Sequence, residues 1–280
     1  MIKKELIKSY AKINLSLDVL GRYKNNLHKI HSVISYINLH DKISIKPIKK
    51  PNHIIKFNGP FSKNLKNNTI SKLLKILEKR KLIKKKYKIE TRKYIPQQSG
   101  LGGGSMNAAS ILSYFIKKNI ISISKNEIIN ICNQIGSDVF IGLDRKNSIL
   151  LSNKKIKKFN TRIGLFVVLI KPKIGCSTKE IYKRVKNFSK GGIKISSKIF
   201  KVEALKNAKN DLEKPAFSLY PNLRKLKIFL SNLNQVEFVR MTGSGSTIVA
   251  YFSNKKSAIN ALKLAKKNFK NYWSILSKTI

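Results

Sequence analysis

The chain is short of acidic residues, of cysteine and of long apolar runs, and each shortage excludes something. Its 280 residues include only 2 cysteines, Cys132 and Cys176. These are too few for a disulfide framework and too far apart for a Cys-x-x-Cys redox or zinc pair, so a reducing, cytoplasmic setting is expected. The strongest apolar run, "GLFVVLI" at Gly164 to Ile170, falls far short of the roughly 20 residues a membrane helix needs. At the N-terminus, "MIKKELIKSYAKINL" scatters charges where an export signal needs an unbroken apolar stretch. No membrane partner is expected. Against 59 Lys and Arg stand 13 Asp and Glu, a formal net charge of +46. Taken alone, that excess points to nucleic acid or an anionic surface. The lysines are spread along the whole chain, however, as in "KKK" at Lys84 to Lys86 and "NKKIKKFN" at Asn153 to Asn160. Together with abundant Ile and Asn, this is the mark of an A- and T-rich codon bias at solvated positions. A dedicated binding face concentrates its charge and interleaves aromatics, so no specific nucleic-acid partner is expected.

What is present reads as a globular α+β protein. Apolar content of 42% beside 26% charged suffices for a real core, in one large domain or two modest ones. "IKSYAKINLSLDVLG" and "HSVISYINLHDKISIKPI" alternate as half-buried antiparallel strands, bounded by turn signals at Gly21, Asn25, Asn26 and Pro47. "NTISKLLKILEKRKLI" has helical spacing, and "YKIETRKYI" is a strand ending before Pro96. "SMNAASILSYFIKK" and "SKNEIINICNQI" follow as helices. "IGLFVVLIKP" begins a second region, with strands at "QVEFVRM" and "STIVAYF" and helices at "STKEIYKRV", "NLRKLKIFLSNL" and "SAINALKLAKKNF". Antiparallel sheets packed with helices are expected in two domains, 1–160 and 161–280.

Between one of those strands and a helix lies "PQQSGLGGGSMNAA", with glycine at 100, 102, 103 and 104. Residues without Cβ atoms can bring backbone N–H groups close to an anion, and the helix start adds unpaired donors and the positive end of its dipole. A plain turn seldom needs so many glycines, so phosphate binding is the preferred reading. The spelling excludes a Walker loop, because Ser105 and Met106 stand where Lys and Ser or Thr are required. It also excludes the dinucleotide fingerprint, which wants a glycine at Ser105 and parallel strands.

With "AKINLSLDVLG" and His28 before it, and "MTGSGSTIVAYF" after it, this stretch resembles the ordered motifs of the GHMP kinases. "GLGGGS-x-NAA", "IGSDVFIGL" and "NDLEKPAFSLYPNL" bring the resemblance closest to the branch that phosphorylates the 2-hydroxyl of a cytidine-diphosphate-linked methylerythritol, in non-mevalonate isoprenoid synthesis. The resemblance implies a two-domain fold with its active site in the cleft between domains. It also implies ATP as phosphoryl donor, with Mg2+ carried by the nucleotide and no dedicated protein cage. Pro96, Gln97, Gln98, Ser99, Gly100, Leu101, Gly102, Gly103, Gly104, Ser105 and Asn107 would wrap the nucleotide, with Asn68 toward adenine. Gln98, Ser99 and Met106 depart from the usual spelling outside the central glycines.

Asp138 matches the family's catalytic aspartate and Lys12 its partnered lysine. A carboxylate can orient the acceptor hydroxyl and take its proton, and an ammonium can neutralise charge on the transferring group. Read without the resemblance, Asp138 is a turn residue and Lys12 a surface lysine. Asn14 shares Lys12's strand face, and otherwise reads as a satisfied polar group. His28 matches a position that reads the cytosine edge, for which imidazole can both donate and accept. Tyr182 matches an aromatic that stacks on the base, with a core position as its plain alternative, and Leu27 replaces a second aromatic. Thr178, Gly243 and Gly245 complete the acceptor side, although "TGSG" reads nearly as well as a tight hairpin turn. The rival is a basic nucleic-acid-binding protein, since the family's N-terminal domain resembles a ribosomal-protein fold. Monomer and homodimer are both open.

Overall fold

The computed structural model describes residues 5–63, 65, 68–153, 155–191 and 195–280. The strands are β1 Glu5–Arg22, β2 His28–Ile48, β3 Ile54–Asn58, β4 Lys86–Arg92, β5 Asn147–Leu150, β6 Ile156–Phe159, β7 Phe166–Lys171, β8 Phe238–Met241, β9 Ile248–Phe252 and β10 Trp273–Lys278. The helices are α1 Thr69–Lys79, α2 Gly103–Lys117, α3 Lys125–Ile135, α4 Thr178–Lys183, α5 Val202–Lys206, α6 Glu213–Leu219, α7 Pro221–Ser231 and α8 Lys255–Asn268. Two compact units emerge. One comprises Met1–Ala11, Leu39–Gln97 and Gly102–Arg145, the other Lys12–Asn38, Gln98–Leu101 and Lys146–Ile280. They interleave along the chain because β1 and β2 each feed both.

In the first unit the later half of β2 pairs antiparallel with β4, Ile45 opposite Ile89. β3 pairs with β4 in parallel, Ile55 opposite Ile89. That pair departs from the antiparallel expectation for a simple reason: α1 lies between β3 and β4, and a helical crossover is what a parallel connection requires. α1 starts at Asn68, whose side chain accepts the Ser71 N–H, and buries Ile70, Leu73, Leu74 and Leu77. Positions spaced by 3, 4 and 7 fall on one helical face. That stripe packs in one core with Ile43, Ile45 and Ile89 of the sheet and with Ile111, Leu112 and Phe115 of α2. Burying each such side chain contributes about 1.5–3 kcal/mol, and these contacts hold the first turn of α2 in place.

The second unit contains an antiparallel sheet in the order β10-β7-β9-β8. β7 is buried on both faces, as its unbroken "FVVLIK" implies. Leu223, Leu226 and Leu230 of α7 and Ala258, Ala261 and Ala265 of α8 share its core. β10, which pairs Leu276 with Val168 of β7, had no signal strong enough to mark it in the sequence. The first half of β2 pairs with β5, Val33 opposite Ile149, and β5 continues to β6.

Candidate active site

Along β1 every residue from Lys12 to Leu17 is buried, polar ones included. Strand alternation puts Lys12, Asn14 and Ser16 on one face and Ile13, Leu15 and Leu17 on the other. A buried polar face must find partners. Lys12 Nζ donates to Asn14 Oδ1 at 2.6 Å, and Asn14 Nδ2 donates to Ser32 Oγ at 2.8 Å. The Ser32 hydroxyl in turn donates to the Ser16 carbonyl at 2.6 Å. The Asn14 N–H reaches Thr242 Oγ1 at 3.0 Å across 228 residues of sequence, and the Thr242 hydroxyl lies 3.2 Å from the Gly100 carbonyl. A Cβ built on Gly243 would sit 3.4 Å from both Asn14 Oδ1 and the Gly100 Cα. The second unit therefore brings Lys12 and Asn14, the start of the glycine stretch and the "TGSG" turn into one network. That turn joins β8 to β9, closed by Thr242 N–H to the Thr247 carbonyl and Gly245 N–H to the Thr242 carbonyl. It is thus both a hairpin connection and a wall of the network.

The glycines do different jobs. Gly100 has φ +73°, and a Cβ there would fall 2.0 Å from the Thr242 carbonyl oxygen. Gly102 has φ +69° as the N-cap of α2. Both conformations are costly for any residue with a Cβ. The first bond of α2 runs from the Met106 N–H to the Gly102 carbonyl, so the amides of Gly103, Gly104 and Ser105 have no intrahelical acceptor. A Cβ on Gly103 would press on Ile95 Cγ2 at 2.9 Å, whereas one on Gly104 would meet Thr69, at 3.4 Å and beyond. Gly136, which ends α3, lies beside this turn: its Cβ would be 3.7 Å from Ser105 Oγ. Asp138 follows two residues later, half-buried, its carbonyl accepting the Gly142 N–H at 3.3 Å.

Other expected nucleotide residues are engaged differently. Asn107 is 2% exposed and donates from Nδ2 to Asp41 Oδ2 at 3.0 Å. At 100° per residue Asn107 lies about 200° round the helix from Ser105, and it faces the interior. Asn68 caps α1 with Oδ1 and donates from Nδ2 to the Leu65 carbonyl. Gln97 donates to the Lys63 carbonyl at 2.6 Å. Gln98 takes φ +48°, and its Oε1 occupies the space a side chain at Gly175 would need. Ser99 and Leu101 are buried, and Pro96 precedes them on the exit from β4.

Asp41 and Lys93 were missed. Both are buried and ion-paired, and Asp41 Oδ1 also accepts the N–H groups of Tyr94 at 2.7 Å and Ile95 at 2.9 Å. One carboxylate thus holds the end of β4 and, through Asn107, α2. Nothing in "HDK" or "TRKYIP" distinguishes these charges from their many solvated neighbours.

On the second unit His28 and Tyr182 lie with ring centroids 4.7 Å apart at 39°. His28 Nε2 is buried with no hydrogen-bond partner among the described residues. Burial, and then the Arg22 charge, holds the imidazole pKa below its ordinary value, so the ring is neutral near pH 7. Leu27 beside it is 55% exposed. The Thr178 and Ser244 hydroxyls are 2.7 Å apart, which ties the start of α4 to the "TGSG" turn. A Cβ on Gly245 would strike Met241 Sδ at 2.8 Å. Burial pushes the Cys132 thiol up to about 12 and Cys176 up to about 11, so neither serves as a thiolate nucleophile.

Residues 68–144 match the GHMP kinases N terminal domain and residues 197–271 the GHMP kinases C terminal domain. The chain belongs to the GHMP kinase family, as an ATP-using phosphotransferase of mixed α and β fold. Among its relatives, a 4-diphosphocytidyl-2-C-methyl-D-erythritol kinase of Pelagibacter ubique is 52% identical over 277 residues, 98% of each chain. One of Clostridium kluyveri is 32% identical over 263 residues, 90% of this chain and 92% of that one. A crystal structure of a 4-(cytidine 5'-diphospho)-2C-methyl-D-erythritol kinase superposes with TM-score 0.79 at 23% identity, covering 98% of this chain and 99% of that one. The homoserine kinase of Cytophaga hutchinsonii follows with TM-score 0.69 at 16% identity, covering 100% and 95%. These last two bear on the fold alone. Among the described residues no helix is long and apolar enough to cross a membrane.

Proposed function

We propose that this chain transfers the γ-phosphoryl group of ATP to the 2-hydroxyl of 4-diphosphocytidyl-2-C-methyl-D-erythritol, a step of non-mevalonate isoprenoid synthesis. The observation that carries this is the 52% identity to a kinase named for that substrate, along nearly the whole of both chains. The network of Lys12, Asn14, Gly100 and Thr242 supports it, since it joins all three of the ordered motifs. In this reading the unpaired amides at the start of α2 face the phosphates. The acceptor oxygen forms a bond to the γ-phosphorus as the bond to the bridging oxygen of ADP breaks. Phosphoryl transfer has a loose transition state, so positioning and charge neutralisation do most of the work. Lys12 supplies positive charge, with Asn14 fixing its ammonium. Asp138 orients the acceptor hydroxyl and takes its proton late.

His28 reads the cytosine edge with its neutral ring, one nitrogen donating and one accepting. The buried, unpartnered Nε2 supports that role. Tyr182 stacks on the base, and Thr178, Gly243 and Gly245 shape the acceptor side. Mg2+ arrives with the nucleotide. In this reading its ligands are phosphate, water and the Ser105 hydroxyl. The matches at 68–144 and 197–271 fall on either side of the proposed division into 1–160 and 161–280. A cytoplasmic protein acting as monomer or homodimer completes the proposal.

The test is ATP turnover with and without the cytidylated acceptor. Acceptor-dependent release of ADP supports the assignment. No turnover alongside salt-sensitive RNA binding would sink it, and homoserine or phosphomevalonate as sole productive acceptor would move the chain elsewhere in the family. Asp138→Asn is expected to lower kcat by orders of magnitude with ATP affinity nearly unchanged; near-normal kcat would remove Asp138 from the mechanism.

A further inference from the structure

We infer that the Asn-Asp-Leu-Glu stretch at 210–213 is a latch that positions the turn carrying Thr242 and Gly243, with Asn210 as its central positioning residue. Asn210 is 3% exposed. Its amide donates to two carbonyls at once, Met241 and Gly243, each at 2.8 Å. Its Oδ1 accepts the Leu212 N–H at 3.0 Å. Three residues after Asn210, Glu213 Oε1 accepts the Met241 N–H at 2.7 Å. The peptide groups that lead into the turn are therefore held from both sides by one short segment.

The other end of the latch grips β1. Leu17 N–H donates to the Lys209 carbonyl at 2.9 Å and Asp211 N–H to the Leu17 carbonyl at 2.8 Å. Asp211 Oδ2 accepts the Val19 N–H at 2.8 Å and the Ser189 hydroxyl at 2.7 Å. β1 is the strand of Lys12 and Asn14, and Thr242 closes the triangle by accepting the Asn14 N–H and contacting the Gly100 carbonyl. Segment 209–213 thus sets the distance between β1 and the turn, and with it the place of Asn14 Oδ1, on which the Lys12 ammonium rests. Asparagine suits the position because the turn offers two carbonyl acceptors and Leu212 offers one donor. An aspartate has no N–H to give either carbonyl and would repel both.

This inference rests on the kinase reading for its kinetic test and is independent of it for its structural one. In the wild-type protein with ATP and the cytidylated acceptor, turnover is established first. Asn210→Asp is then expected to lower kcat roughly tenfold to hundredfold, the worth of two neutral hydrogen bonds. The loss shrinks as pH falls and the new carboxyl takes up a proton, which restores one donor. Amide hydrogen exchange should quicken at 243–247 while β9 stays as protected as in the wild type. Asn210→Ser, which keeps one donor, should show the same exchange pattern with a smaller kinetic loss. A kcat within twofold of wild type with unchanged exchange overturns the inference, as does exchange that quickens evenly through the second unit. If neither variant folds, Asn210 is a folding determinant and the positioning role is lost. Absence of turnover in the wild type counts against the kinase reading, while the exchange experiment still judges the latch.

Discussion

Substituting alanine at Gly100 and at Gly104 should separate the fold from the proposed phosphate site. At Gly100 the backbone is left-handed, and the added Cβ would stand 2.0 Å from the Thr242 carbonyl oxygen. The φ value alone costs alanine about 1–2 kcal/mol, and forcing backbone apart adds about 1–3 kcal/mol. Since 1 kcal/mol moves the Tm of a protein of this size by about 2–4 °C, Gly100→Ala should melt roughly 4–20 °C lower. It should also turn over poorly, because Thr242 contacts Asn14. Gly104 is the opposite case. It is exposed, inside the first turn of α2, and among the described residues its Cβ would meet only the Thr69 side chain, no closer than 3.4 Å. The fold does not need glycine there, and alanine should leave stability equal or better by about 0.4–1 kcal/mol. If the amides of this turn close around the triphosphate, a methyl group at 104 crowds the phosphates. ATP KM should then rise about tenfold or more, a loss of ~1.4 kcal/mol. Thermal melts and steady-state kinetics on the two variants read both effects. A Gly104→Ala protein with wild-type ATP KM would refute the phosphate role of this turn, and a Gly100→Ala protein with wild-type Tm would refute the packing argument.

Further outcomes follow from single groups. Tyr182→Ala should raise KM for the acceptor about fivefold to hundredfold, since stacking on one ring is worth ~1–3 kcal/mol, with ATP KM unchanged; an unaltered acceptor KM would return the ring to the core. Asp18 has its pKa raised to about 6 by burial and then by the Asp211 charge. A carboxyl raised on folding holds its proton longer in the native state, so stability falls as pH climbs from about 4 to 6 and the penalty is complete above that. Allowing for partial solvent screening, Asp18→Asn should gain about 1–2 kcal/mol at pH 7.5 and nothing below the unfolded pKa, near pH 3; denaturant melts giving equal gains at both pH values would refute it. Tyr251 is fully buried, with no partner for its hydroxyl among the described residues. Tyr251→Phe should therefore stabilise the protein by about 1 kcal/mol, and a lower midpoint in urea would show that the hydroxyl is satisfied after all.

Part of this protein was legible in its residues because the chemistry is local. A glycine run between a strand and a helix, the helical stripe of α1 and the double-sided burial of β7 each declare themselves within a dozen positions, and the motif order placed the chain among the GHMP kinases. Lys12 and Asn14 could be put on one strand face by alternation alone. β3 and its parallel pairing were not readable, since "IIKFN" is short and its partner lies beyond a helix. Asp41 and Lys93 were hidden by their own ordinariness, two charges among 59 basic and 13 acidic residues, marked only by burial.

The sequence by itself determined which residue types are available for phosphoryl transfer, and roughly where strands and helices begin, because backbone preference and side-chain periodicity act over a few residues. Tertiary structure alone decided which way each side chain is spent. Asn107 is turned to Asp41, Gly100 is pressed on Thr242, and Asn210 holds the turn 31 and 33 positions away. Hydrogen bonds and excluded volume act over a few ångströms of space, and only folding makes positions such as 14 and 242 neighbours.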